Sequence, residues 1–186
     1  MDMNLDSFLQ QYRSAIIKKW FNRVVETYAP ETARLLQKES SQFANPVGHT
    51  MLHGIEAIYD EFLHGADHEK LAPHLDRIIR IRAVQDFSPA QAMSFVFFLK
   101  NIVRDELQKH IHENRIPLSE ITAFESKVDD LALLAFNIYM QCRERLYEVR
   151  LTEFKTRTYR LLQRANLLAE IPDWEPKSKD INHQGT

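Results

Sequence analysis

Over residues 121–142 the chain places Ile121, Phe124, Val128, Leu131, Ala135, Ile138 and Cys142 at alternating spacings of three and four. That alternation is a heptad-like seam, which an α-helix gathers into one apolar face. It continues less cleanly through Leu146, Val149, Phe154, Leu161, Leu162 and Leu168. Unbroken from Ser119 to residue 165, such a helix would measure roughly 70 Å at about 1.5 Å per residue. That outruns a domain of 186 residues. Either the helix kinks and folds back, or its second half stands out and pairs with another chain.

The rest of the chain reads as helix too. With 4 Gly and 7 Pro it lacks the tight turns that sandwiches and barrels need. Leu5, Phe8, Leu9, Tyr12, Ile16, Trp20, Val24 and Tyr28 form one stripe of a first helix, with Asp6 and Ser7 assisting its first turn. Pro30 stops it and opens a short second helix to about Gln37, followed by a loop over residues 39–44. Asn45 and Pro46 read as cap and first residue of the next helix, with Val47, Met51, Ile55, Ile58 and Phe62 inward and Gly65 as its stop. Asp67 opens another helix in which Leu71, Leu75, Ile78, Ile79 and Val84 face inward, and Pro73 is expected to break or restart it. Ser88, Pro89 and Gln91 have the positions of a capping box, so a helix begins there. That helix is apolar over most of its circumference until Lys100, Asn101, Arg104 and Asp105, as expected of a central helix. After a break over residues 114–117 the long helix starts. The division expected is a helical domain over residues 1–168 and a flexible tail over residues 169–186.

Charge and motifs narrow the function. Lys and Arg number 24 against 26 Asp and Glu, so no overall positive field draws the chain to nucleic acid or anionic lipid. A single cysteine cannot form an intrachain disulfide, and the acidic start lacks the pattern of a signal peptide, so a cytoplasmic location is expected. The densest apolar run, residues 95–99, is closed by Lys100, far short of the roughly 20 residues that span a bilayer. Phosphate-loop, nucleophile-elbow, Cys-x-x-Cys and His-Glu-x-x-His patterns are missing. Catalysis is not expected.

Two stretches carry a family likeness. One is Phe43, Ala44, Asn45, Pro46, Val47 and Gly48; the other runs over residues 80–89 and includes Arg80, Arg82, Gln85, Asp86, Phe87, Ser88 and Pro89. The second continues into Ala92, residues 95–100 and the turn of Arg104, Asp105, Glu106 and Leu107. Over roughly residues 7–147 the chain resembles the N-terminal domain of the RsbRD-type RsbT co-antagonist proteins. The resemblance implies an all-α fold, a single globin-like bundle of about six to seven helices ending in a long C-terminal helix. It further implies a haem-free bacterial sensory domain ahead of a signalling output domain, in a stress-response regulator. Nothing after residue 165 is long enough to be that output domain, so the chain reads as a sensor encoded alone, a regulatory or accessory protein acting through a partner.

Several residue groups invite sharper readings. His49, His53, Glu56 and Asp60 lie along one helical stripe and could ligate a metal, although a solvated helix side accounts for them. His64 and His68 repeat the spacing across Gly65. His74 is the candidate haem ligand, with an exposed position beside a helix start as the plainer reading. His110 and His112 fit capping of a helix end. Arg80, Arg82, Gln85 and Asp86 fit a tie between helix ends, or a fork for an anionic ligand. Lys100 and Arg104 fit surface snorkelling, a pocket rim or ion pairs. Cys142 fits a buried inert thiol. Residues 143–164 hold seven cations against three carboxylates, which suits a partner-facing helix better than a nucleic-acid surface lacking stacking platforms.

The leading reading is therefore a non-catalytic signal-transduction module that responds to a small molecule or partner by changing its helix packing. No cofactor is expected. Two alternatives stand beside it: a haem- or metal-binding globin-like sensor, and a dimeric adaptor or accessory protein of a respiratory or sulfur-metabolism system. In the second, a homodimer would form through the helix of residues 121–168, and charges placed at Leu131 and Ile138 would make it monomeric. A seam buried within the domain would instead unfold.

Overall fold

Seven helices and no strand make up the described residues of the computed structural model, which are 4–37, 45–65, 67–85, 87–109 and 116–165. In chain order they are α1 (Leu5–Gln11), α2 (Arg13–Val25), α3 (Pro30–Gln37), α4 (Pro46–Leu63), α5 (His68–Val84), α6 (Pro89–Lys109) and α7 (Leu118–Arg164). The backbone divides into two units, Met1–Leu146 and Tyr147–Thr186. Among the described residues no helix is long and apolar enough to cross a membrane.

The first unit is built on the expected apolar faces. Phe8, Ile16, Trp20, Val24, Met51, Ile55, Ile58, Leu75, Ile78, Ile79, Phe95, Val96 and Leu99 are fully buried together. Two aromatic side chains have their polar groups satisfied inside: Trp20 Nε1 donates to the Phe95 carbonyl at 2.6 Å, and Tyr59 Oη to the Leu9 carbonyl at 2.9 Å. These bonds pin α2 to α6 and α4 to α1, since an unmade buried donor costs about 1–3 kcal/mol.

Three expectations about helix ends need correction. The first apolar stripe is two helices, because Tyr12 leaves helical geometry at φ −96° and ψ 13° while keeping its bond to the Phe8 carbonyl. Asn4 caps α1, its side chain accepting from the Ser7 amide at 2.9 Å, and Asp6 lies in the first turn as the sequence places it. Pro73 lies within α5 and does not break it. It is exposed and close to the helix start, so the carbonyl it leaves unpaired belongs to the exposed first turn, where water can serve it. Val84, expected inside, is 64% exposed at the end of α5.

The α3–α4 corner and the start of α6 form as the sequence predicts. Asn45 Oδ1 accepts from the Gly48 amide at 2.9 Å, while its Nδ2 donates to the carbonyls of Leu35 and Leu36. Gly48 is required there: a Cβ would lie 2.3 Å from Asn45 Nδ2 and 2.7 Å from the Leu36 oxygen. At α6 the capping box is reciprocal, Ser88 amide to Gln91 Oε1 at 2.9 Å and Gln91 amide to Ser88 Oγ at 3.3 Å.

In the first unit α7 turns its seam inward. Phe124, Val128, Leu131, Ala132, Ala135, Ile138, Tyr139 and Cys142 are buried, with Phe124 edge-on to Phe62 of α4. Ile121 is half-buried. The seam over residues 124–142 is thus filled by the chain's own core, the buried one of the two arrangements open for it. In the second unit the turns of α7 expose Val149, Leu151, Phe154 and Leu161, each more than half accessible. Leu168, the tail over residues 169–186, the loop over residues 39–44, and His110, His112 and Asn114 lie outside the described residues.

Candidate functional site

Of the polar motif, Arg82 makes the buried contacts. Late in α5, its side chain is fully buried between the end of α2 and the start of α6. Nε donates to the Ala92 carbonyl at 3.1 Å and Nη2 to the Gln91 carbonyl at 2.7 Å, while both terminal nitrogens reach Thr27 Oγ1 at 3.1 and 3.2 Å. The guanidinium lies 4.4 Å from the centre of the Phe87 ring and 5.4 Å from that of Tyr28, and the two rings meet edge-on. Among the described residues no carboxylate pairs with it. Carbonyls, a hydroxyl and two ring faces carry the charge instead. Burial lowers the Arg82 pKa and raises that of Tyr28, the neighbouring Arg82 charge partly countering the latter. Arginine stays protonated even so. Among the described residues Tyr28 Oη and Gln85 Oε1 are buried without a hydrogen-bond partner.

Arg82 is therefore the expected tie between helix ends, but its neighbours in sequence do not join it. Arg80 is exposed and bonds Asp76 one turn back at 2.6 Å. Gln85 caps α5, and Asp86 lies outside the described residues. The partner the sequence did not reveal is Thr27, 55 residues away.

A second cluster links α6 to α7. Lys100 Nζ bonds Asp129 Oδ1 at 2.6 Å, and Arg104 forks onto Glu125, with Nη2 to Oε2 at 2.9 Å. The two cations are thus ion-paired to the long helix, the third of the readings open for them. The Arg104 hydrogen bond holds the Glu125 carboxyl below its usual range. Beside it, Lys19 of α2 pairs with Glu106, which is 4% exposed. A groove of about 440 Å³ lies between α2 and α6, lined by Lys19, Arg23, Glu26, Phe98, Asn101 and Asp105.

The proposed metal stripe is split. His49 and His53 face each other with Nε2 atoms 3.0 Å apart, and His53 Nδ1 is 3.0 Å from Glu56 Oε2. Asp60 turns to α2 and takes a two-point bond from Arg13 at 2.7 Å on each oxygen. Among the described residues no group of three or more His, Cys, Asp or Glu side chains is arranged to hold a metal ion. His74 is half-buried where α5 passes α4, its carbonyl 3.7 Å from where a Gly54 Cβ would be. Neither this groove nor the 250 Å³ cleft beside Leu5, Phe62, Glu120 and Phe124 includes it. His64 bonds the Asp60 carbonyl, and His68 is exposed.

Cys142 is buried with Sγ 3.8 Å from Asp76 Oδ1. Burial first, and then the Asp76 charge, push the thiol pKa up. The thiolate is the reactive species, so native Cys142 is expected to react with an aromatic disulfide at pH 8 far more slowly than the urea-unfolded chain. Equal rates in the two states would contradict its burial.

Compared with known proteins, residues 14–153 match the family model described as the RsbT co-antagonist protein rsbRD N-terminal domain. No curated protein and no solved structure matches the chain. The matched span takes in the Arg82 tie, both α6–α7 ion pairs and the buried seam, and stops at residue 153 within α7.

Proposed function

Because the chain belongs to the RsbT co-antagonist protein rsbRD N-terminal domain family, a regulatory family, we propose that it is a non-catalytic sensory module whose output is the packing of α7. Bacterial stress signalling is the setting the family suggests. The reading is carried by one observation: α7 fills the core through Phe124–Cys142 positions, yet its contacts with α6 include the pairs Lys100–Asp129 and Arg104–Glu125, each with one exposed partner. A core seam sets where α7 belongs, and partly exposed ion pairs are weak enough to be shifted. A ligand or partner would act only through different affinities for two packings of that helix. The Arg82 tie holds the α2, α5 and α6 ends together while α7 adjusts. The cytoplasm is the compartment that suits such a module.

The pairs supply the test. Arg104→Glu sets like charges at Glu125 and is expected to speed tryptic cleavage after Lys127 and Arg143 while the thermal transition of the domain persists. Adding Glu125→Arg restores the opposite charges and should return cleavage to the original rate. Loss of the whole transition in Arg104→Glu, or cleavage indifferent to both changes, would contradict a separately adjustable α7.

A further inference from the structure

The last turns of α7, which begin within the family match and run past its end at residue 153, carry a second heptad register. Leu151, Phe154, Thr158 and Leu161 follow one another at spacings of three and four, the same a/d geometry as a coiled-coil seam. Leu151, Phe154 and Leu161 are 52%, 67% and 64% exposed. With Leu151 at a and Phe154 at d, Arg150, Arg157 and Arg164 all fall at g, seven residues apart, and Lys155 falls at e. Over residues 147–164 five cations stand against two carboxylates, and among the described residues none of Arg150, Lys155, Arg157 and Arg164 forms an ion pair.

The flanks decide what can cover this stripe. In a parallel pair of copies Arg150 would face Lys155 across the seam, and in an antiparallel pair arginine would face arginine, so like charges oppose self-association in either direction. An anionic membrane would meet the charge, but interfacial helices carry a broad apolar face. This stripe is an a/d seam widened only by Leu162 at e and broken by Thr158. An acidic helix answers both features: apolar a/d residues fill the seam, and Glu or Asp at its e and g positions meet the arginine row.

We infer that residues 150–164 form a docking face for an acidic amphipathic helix of a partner protein, paired with α7 as a two-stranded coiled coil. This rests on the reading of α7 as the output helix and names the chemistry of what receives the output. The arginine row gives specificity by repelling other basic helices, while the apolar seam supplies affinity.

The test uses the full chain and two synthetic helical peptides with leucine at a and d, one carrying glutamate and the other lysine at e and g. The glutamate peptide is expected to bind at least about tenfold more tightly, with affinity falling as salt is raised. Arg150→Glu with Arg157→Glu should reverse that preference. Leu151→Ser with Phe154→Ser should abolish binding, and because these side chains are exposed the thermal midpoint should stay unchanged. Binding that survives the serine changes would reduce the face to plain charge attraction and overturn the proposal. So would equal binding of the two peptides, binding of neither, partitioning into phosphatidylglycerol vesicles in preference to the glutamate peptide, or concentration-dependent dimerisation lost in the serine variant. The Arg104 and Glu125 exchange reads α7 packing independently, so failure here leaves that result standing and failure there does not touch peptide binding.

Discussion

Leu131→Asp is expected to abolish the cooperative unfolding transition. Leu131 is 2% exposed in the seam that α7 turns into the core. Truncating a buried leucine costs about 2–5 kcal/mol, and burying an unpaired carboxylate or forcing its protonation adds several more. Total stability of a domain this size is about 5–15 kcal/mol, so the sum leaves little or nothing. Ile138→Asp, at 8% exposed in the same seam, should behave alike. Circular dichroism on heating, with gel filtration, reads the result. The dimer-seam alternative makes the opposite forecast, a folded protein that merely becomes monomeric. A wild-type melting curve in Leu131→Asp would contradict the burial of the seam.

Arg82→Ala should be the most damaging change in the polar motif, at about 3–4 kcal/mol. It removes a large, fully buried side chain, its stacking on Phe87 and Tyr28, and the donors that serve Thr27 and the Gln91 and Ala92 carbonyls. Arg82→Met keeps most of the volume and removes a buried cation that no described carboxylate balances. Its cost should stay below about 1.5 kcal/mol, because volume-conserving replacements of buried charges are well tolerated. Urea midpoints at constant slope compare the two. Equal losses would mean that the polar contacts, and not packing, set the value of the residue.

Local signals were legible and long-range pairings were not. The Asn45 cap and the Ser88–Gln91 box rest on atoms within three residues of each other, so spacing alone reveals them. Arg80, Arg82, Gln85 and Asp86 together suggested a tie or a fork, but that Arg82 makes it, with acceptors on Thr27 and α6, is decided by tertiary packing, and no sequence pattern marks Thr27. The same holds for Arg13 with Asp60, 47 residues apart, which drew a carboxylate out of the supposed metal stripe. Tyr12 interrupts the first stripe with neither glycine nor proline to announce it. Pro73 misled in the other direction, since a proline on the exposed first turns of a helix is affordable. Periodicity announced that α7 buries a face, but not whether its own domain or another chain would cover it.

The account turns on α7 being packed into the domain yet adjustable apart from it. Native-state hydrogen exchange of the unmodified chain in increasing, sub-denaturing urea tests that most directly. Amides of residues 124–142 should be protected and should open together at a lower free energy than those around Trp20, Ile55, Ile79 and Val96. A single isotherm shared by all seven helices, or no protection over residues 124–142, would contradict it.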